Sequence, residues 1–380
     1  MVNMFIKDPI FGNINLTETE EKIIEDKHMQ RLRYIRQTGF VYLIYPGATH
    51  SRFEHSLGTL YITKELTKSI GVEEDAAEDL CVAGLVHDIG HASFSHSLDR
   101  LLKRYLHTSH EELGKGIIKE SDIKNVISDS GLSLNRILKM LEGKERGEVI
   151  TASLGSDRLD YLLRDAYYTG ATYGVIDYQQ LKSKIALYNG KLSIYAQGIP
   201  SAESILLARY FMFTSVYLHH TTLIAEGMFE RAVEAAIDNG YLDKTLLKTL
   251  NDFEMMNTLL SDKPSAPLLN RIIERKLFKR VFYDRVPEDF SLSEKEIEEE
   301  ILKYVDLDKT ELIVTKIFPK DTVENTPILS RFGKKIGTLE NTSLIIKGLE
   351  EANSQNKKLL IACEKRNIFI LKPTYNIVLL

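Results

Sequence analysis

Three short stretches of this sequence concentrate groups that bind metals and move protons: HSRFEH at 50–55, VHDIGHASFSH at 86–96 and HTSHEE at 107–112. They carry seven of the chain's ten histidines together with Arg52, Glu54 and Asp88, and Asp99 lies between the second and third of them. Neutral imidazole beside carboxylate suits a borderline first-row divalent ion such as Mn, Fe, Co, Ni or Zn, whereas oxygen-only sites suit Mg or Ca. The adjacent pair His87 and Asp88 closes the apolar segment 80–86 and is followed at once by Gly90. Neighbours on a regular helix point about 100° apart, so both can face one ion only where the backbone turns. Taken alone, the dipeptide reads more simply as a histidine capping one helix and an aspartate starting the next.

Other residues add to the pair. His55 lies upstream in an amphipathic segment, and downstream comes DRLDYLLRD at 157–165. There Asp157, Asp160, Tyr161, Arg164, Asp165 and Tyr168 fall on one helical face, opposite Leu159, Leu162, Leu163 and Ala166. A face of alternating Asp and Arg with two tyrosines is expected to line a cleft rather than meet bulk water. His96 and Asp99 stand three apart, so on a helix the carboxylate can orient the imidazole and raise its pKa, as a general acid for an alkoxide leaving group requires. The plainer reading of that pair is a histidine hydrogen-bonded to a neighbour. Arg209, Phe213 and Tyr217, four apart, share a helical face; alone they read as a core helix with a snorkelling arginine.

In the order His55, His87-Asp88, Asp157, the chain resembles the HD-domain metal-dependent phosphohydrolases. The strings MQRLRYIRQTG, YPGATHSRFEHSLG, HDIGHASFSH and DRLDYLLRDAYYTG resemble their dNTP triphosphohydrolase branch, over about residues 4–237. The resemblance implies that His55, His87, Asp88 and Asp157 hold one divalent ion (Mn, Fe, Co, Ni, Zn or Mg). It implies a catalytic dyad of His96 and Asp99, with His91, His110 and Glu111 at further site positions. Arg52, Arg158 and Arg209 become phosphate contacts, Tyr161, Asp165 and Tyr217 surround the sugar, and Gln37 lies near its 3′ side. Arg164 is a further cation within reach of a triphosphate. The resemblance also implies a homo-oligomer and a nucleotide activator besides the nucleotide substrate; Arg31 and Arg33 match a segment that serves such regulation, although an isolated RLR on a helix is more often surface charge. Arg158, Leu159, Thr38, Phe213 and Leu218 depart from the vertebrate pattern, leaving the four metal positions untouched. The implied reaction is hydrolysis of a dNTP to deoxynucleoside and inorganic triphosphate. Action on mono-, di- or cyclic nucleotides, or non-catalytic nucleotide sensing, are the alternatives.

These residues need elements to hold them. A short hairpin is expected at 4–16 and a helix at 17–37, starting at a Thr17/Glu20 capping box. Helices are expected at 52–70, 74–87, 95–105, 109–119, 133–141, 146–152, 156–168 and 177–187, a hairpin at 185–196 around Asn189-Gly190, and one long helix at 201–237. Short helical stretches follow at 243–277, then an acidic run, EDFSLSEKEIEEE at 288–300, read as a solvated helix face. Strands are expected at 311–318, 343–348, 358–363 and 367–372. The fold class is therefore mainly α, an HD-domain helical bundle with a small α+β C-terminal lobe. The expected domains are 1–240 catalytic, 241–310 helical extension and 311–380 lobe.

With 380 residues, the chain is long enough for one large or two ordinary domains. A net charge of −5 and pI near 6.1 leave no general nucleic-acid footprint, so no stable nucleic-acid binding is expected. Two cysteines in apolar contexts fit a reducing compartment without a disulfide framework. With neither a leader-like start nor a long apolar run, a soluble cytoplasmic protein without membrane attachment is expected.

Overall fold

A computed structural model describes residues 4–287, 289–317 and 325–372 of the chain. Phe5–Asp8 (β1) and Gly12–Asn15 (β2) form the expected hairpin, in which Asp8 Oδ1 accepts the N–H groups of Ile10 and Phe11 at 2.8 and 3.0 Å. The helix expected over 17–37 starts as the sequence indicates, with reciprocal Thr17 and Glu20 capping, but it is broken. Glu18–Glu25 (α1) ends at Asp26, which lies extended and accepts the His28 N–H at 2.8 Å to start Lys27–Arg31 (α2). A capping aspartate offers the backbone an alternative to helix continuation.

The helical body follows as Arg52–Ile70 (α3), Glu74–Val86 (α4), Asp99–Leu106 (α5), His110–Glu120 (α6), Ile123–Asp129 (α7), Leu134–Met140 (α8), Glu148–Thr151 (α9) and Ser156–Thr169 (α10). The helix expected at 95–105 begins as a tighter turn, Ser95–Leu98, before α5. The sequence reading did not foresee α7, a seven-residue helix anchored by buried Ile123 and Ile127. α3 is closed by Ser51/Glu54 reciprocal capping at one end and by Gly71 at φ 75° at the other. It packs against α4 and α10, and at Gly58 the approach is so close that a Cβ would stand 1.8 Å from Asp160 Oδ1.

The helix expected to reach 187 stops early. Tyr178–Lys182 (α11) gives way to Ile185–Tyr188 (β3) and Lys191–Tyr195 (β4), paired through Asn189 and Gly190, which both take positive φ. The single long helix expected at 201–237 is two. Ile199–Met212 (α12) passes into a π-helical turn at Phe213–Tyr217, and His219 then caps His220–Asp238 (α13) by accepting the Thr221 N–H at 3.2 Å. Thr214 Oγ1, donating to the Tyr210 carbonyl at 2.9 Å, competes for backbone acceptors where the ladder widens.

Asp252–Ser261 (α14) and Ala266–Ile273 (α15) pack with α13 over Met228, Phe229, Val233, Leu259 and Leu269. Then come Lys279–Arg285 (β5), Glu294–Leu302 (α16), Leu312–Ile317 (β6), Pro327–Leu329 (β7), Lys335–Thr338 (β8), Leu339–Thr342 (α17), Leu344–Ser354 (α18) and Lys358–Cys363 (β9). β9 is the centre of an antiparallel sheet ordered β5-β9-β6, whereas β7 joins β4 in parallel, giving the order β3-β4-β7-β8.

Two expected strands are helical. Residues 343–348 begin α18 because Ser343 caps it, accepting the Ile346 N–H at 3.1 Å. Residues 367–372 turn helically, and buried Leu371 packs beneath the sheet, whose central strand already has a neighbour on both sides. The acidic run is only partly a solvated face. Within α16, Glu294 accepts from Arg100 at 2.5 Å and the buried Glu298 from Arg231 at 2.6 Å. Glu288 and Phe318, which fall in two of the expected segments, lie outside the described residues. The fold is mainly α with a small α+β C-terminal part, as expected.

Candidate metal centre and its surroundings

The first turn of α3, the last turn of α4 with the residues after it, and the first turn of α10 converge on one point. His55 Nδ1–H donates to Asp160 Oδ2 at 2.7 Å, and His87 Nδ1–H donates to the Gly84 carbonyl at 2.8 Å. Those partners hold the Nδ1–H of each ring, so that each Nε2 becomes a donor atom once it carries no proton. The two Nε2 atoms face each other at 3.2 Å. Asp157 Oδ1 lies 3.2 Å from His55 Nε2 and 3.7 Å from His87 Nε2, and Asp88 Oδ1 lies 3.3 Å from His87 Nε2. Two opposed ring nitrogens and two carboxylates around one point need a positive charge between them, which a proton on His55 Nε2 or a bound cation can supply. His55, His87 and Asp88 offer atoms within 4.8 Å of one another, a spacing that could hold a metal ion.

Charge at this point is strongly organised. Burial pushes the His55 imidazole down, but Asp157, Asp160 and Asp88 outweigh it and lift it to about 10. Burial works equally against an ionised Asp88, yet Arg52, His87 and His91 hold that carboxyl well below its ordinary value. Asp157 is likewise held low against burial by His55 and His87. Gly90 serves differently from the sequence reading. Its φ is not left-handed; instead a Cβ there would meet the His110 carbonyl at 2.1 Å and Gly114 N at 2.3 Å, so its missing side chain lets this turn lie against α6.

A second group of imidazoles continues from Asp88. His91 Nε2 lies 3.2 Å from Asp88 Oδ1, and the His91 ring stacks on His110 with centroids 3.9 Å apart. His110 Nδ1 and His96 Nδ1 both donate to Asp99, at 3.2 and 2.7 Å. His96 is exposed, with 68% of its side chain open to solvent, while Asp99 behind it is held far below the usual carboxylate range by His110 and His96 against burial. Glu111 Oε1 lies 3.3 Å from His110 Nε2. His91, His96, Asp99 and His110 also have the spacing of a metal-holding group.

A family model described as "HD domain" matches residues 52–167, and one described as "HD associated region" matches residues 176–369. The chain belongs to the HD-domain phosphohydrolase family. It is similar over its whole length to a hypothetical protein from Aquifex aeolicus, with a TM-score of 0.83 and 30% identity over 98% of this chain and 100% of that one. A phosphohydrolase from Bacteroides thetaiotaomicron matches with a TM-score of 0.78 and 26% identity, over 96% of this chain and 100% of that one. Human deoxynucleoside triphosphate triphosphohydrolase SAMHD1 is 39% identical over 142 residues, covering 33% of this chain and 23% of that protein. The chain spans 57% to 65% of the length of the first curated relatives it matches.

The remaining sequence-indicated residues border the HD-domain cluster. Arg52 is buried, forms an ion pair with Asp88 and donates through Nε to Ser95 Oγ at 2.7 Å. Arg158 Nη1 donates to the Thr151 carbonyl at 2.7 Å. The Tyr161 ring lies 6.5 Å from His55 and 6.4 Å from Tyr217. Arg209 lies over the Phe213 ring at 5.5 Å, and Phe213 meets Tyr217 at 5.0 Å, so these three share a face despite the π turn. Tyr217 donates its hydroxyl to Asp165 Oδ2 at 2.5 Å, and burial together with Asp165 pushes that phenol well above its ordinary value. Gln37 is tied by its N–H to the His50 carbonyl at 3.0 Å, and its Oε1 is buried without a hydrogen-bond partner among the described residues.

Two of the cations singled out in the sequence are engaged within the protein. Arg164 is fully buried, donates to Asp160 at 2.9 Å and to Asp8 at 2.9 Å, and so braces the carboxylate behind His55. Arg31 spends its guanidinium on the carbonyls of His91, Thr249 and Leu250 at 2.8, 2.7 and 3.0 Å. The sequence reading missed His50, whose Nε2 lies 2.7 Å from Asp165 Oδ1 and whose ring stacks on Tyr168. Its place five residues before His55 was visible, but only the fold supplies its partner. Asp160 and Arg164, four apart, were read as cleft lining; they form the buried support of His55.

Proposed function

We propose that this chain hydrolyses a deoxynucleoside triphosphate to the deoxynucleoside and inorganic triphosphate. The carrying observation is the opposed Nε2 pair of His55 and His87 with Asp88 and Asp157 around it, joined through His91 and His110 to the exposed His96 and Asp99. The named activity of the human relative, 39% identical over 142 residues, supports the same reading. Homo-oligomers and activation by nucleotide belong to it as well.

The donor set fits one divalent ion, held by His55, His87, Asp88 and Asp157. Such an ion supplies polarisation of a phosphoryl oxygen and a lowered pKa for water. This chain's own residues do the rest. Arg52, Arg158 and Arg209 offset the roughly four negative charges of a triphosphate. Asp99 accepts the Nδ1–H of His96, which orients the ring so that Nε2–H can be delivered to the 5′-oxygen as its bond to the α-phosphorus breaks and a water oxygen bonds to that phosphorus. His91, His110 and Glu111 hold the imidazole group around that dyad. Asp165, fixed by His50 and Tyr217, faces the sugar with Gln37, and Tyr161 and Tyr217 pack against it.

Purified protein incubated with each of the four dNTPs and with GTP, in Mn, Mg or Co, tests the reading by resolving the products. Deoxynucleoside with intact triphosphate is expected. A monophosphate product places the chain among other nucleotide phosphohydrolases, and tight binding without turnover under every metal makes it a sensor; either result overturns the proposal.

A further inference from the structure

Residues Phe94 and Ser95, immediately before His96, both take left-handed backbone at φ 54° and 56°. Neither is glycine, so the turn is disfavoured on its own and persists only where its surroundings hold it. Part of that hold comes from Ser95 Oγ, which accepts from Arg52 Nε and donates to the Arg36 carbonyl at 2.5 Å. The rest comes from a residue 158 positions away. Asp252, in the first turn of α14, is 6% exposed and accepts the Phe94 N–H at 2.6 Å through Oδ1 and the Arg36 N–H at 3.0 Å through Oδ2. The chain just before it is tied to the same loop, because Arg31 bridges the His91 carbonyl to those of Thr249 and Leu250.

A buried carboxylate is costly, and here its two oxygens are spent on two backbone N–H groups rather than on a side-chain cation. A packing role needs no charge. Fixing a strained turn that precedes His96 does need two strong acceptors at fixed positions. We infer that Asp252 is a positioning residue that holds the 94–96 turn so that His96 presents its ring to the leaving group. The inference rests on the general-acid reading of His96 and places part of the catalytic machinery on the segment after Gly240.

Asp252→Asn keeps the shape and loses one acceptor. It is expected to lower kcat about tenfold or more, leaving KM for dNTP and bound Mn per chain unchanged. Amide-exchange protection should fall at 92–98 and nowhere else. In a His96→Ala background the same substitution should cost nothing further, because its effect passes through His96. The unmutated protein gives a second route that needs no folded variant. Burial raises the Asp252 carboxyl to about 6, against the pull of its backbone donors, Arg36 and Arg31, with Glu254 and Tyr42 the other titratable groups facing it. Opening the turn alone removes the two backbone donors that pull this pKa down while leaving Asp252 buried, so protonation favours the opened turn. Protection factors at 92–98 should therefore drop as pH falls through 6 in the wild type and stay level in Asp252→Asn. Wild-type kcat and protection in Asp252→Asn, or losses that multiply with His96→Ala, overturn the inference alone. Wild-type turnover in His96→Ala overturns the general-acid reading and this role with it.

Discussion

Asp157 and Asp160, three residues apart on α10, have different tasks. Asp157 points an oxygen at both Nε2 atoms, while Asp160 stands behind His55 and holds its Nδ1–H, braced by Arg164. A direct donor and a tautomer-fixing partner differ in what their loss costs. Asp88→Ala is expected to remove bound metal and turnover together, whereas Asp160→Asn should weaken metal affinity roughly 10- to 100-fold without abolishing it. Metal titration of the two variants checks this; equal losses would contradict the division of roles. The sequence showed which residue types gather here, because imidazole and carboxylate cluster within few residues of chain. Spacing alone did not separate Asp157 from Asp160, which lie on the same helical face; the family resemblance chose Asp157, and in the structure Asp157 lies at His55 Nε2 while Asp160 lies at its Nδ1.

Among the elements, helices with a strong helical periodicity were legible: α3 and α6, which open on capping boxes, and α4 and α10, which have no side-chain N-cap, all fall within a residue or two of expectation. The misreadings occur where a local polar group or the neighbouring chain decides. Asp26 splits one helix, Ser343 turns an apolar β-branched run into another, and the widened turn at Phe213–Tyr217 leaves no mark on the helical periodicity. Close approach was equally hidden, as at Gly58, where α3 meets the Asp160 and Arg164 pair. A Cβ there would also stand 2.3 Å from Arg164 Nη2, so the buried ion pair must move. Gly58→Ala should lower stability by about 1–3 kcal/mol and weaken metal binding, read by denaturant unfolding and metal titration. Unchanged values in both would show that the α3–α10 contact is not what holds His55.

For the whole molecule, no helix among the described residues is long and apolar enough to cross a membrane, and the net charge is −5. Any affinity for a polyphosphate is therefore local, and in the proposed function Arg52, Arg158 and Arg209 set it. The segment after Gly240 carries a cost that folding stability should reveal. Asp252 titrates at about 6 in the fold against an ordinary 3.8, so between those values the folded chain holds a proton that the unfolded chain has lost. Its contribution is thus fully present below about pH 4 and lost as pH rises through 6, a change on the order of 3 kcal/mol. Wild-type stability relative to Asp252→Asn should fall across that interval in denaturant unfolding. A difference that stays flat or rises would contradict the burial of this charge.

The central claim is cleavage between the α-phosphorus and the 5′-oxygen, with His96 protonating the leaving oxygen. Hydrolysis in ¹⁸O-labelled water, with mass analysis of both products, tests it most directly. One labelled oxygen in the inorganic triphosphate and none in the deoxynucleoside is the predicted result. Label in the deoxynucleoside, or in a nucleoside monophosphate, would contradict it.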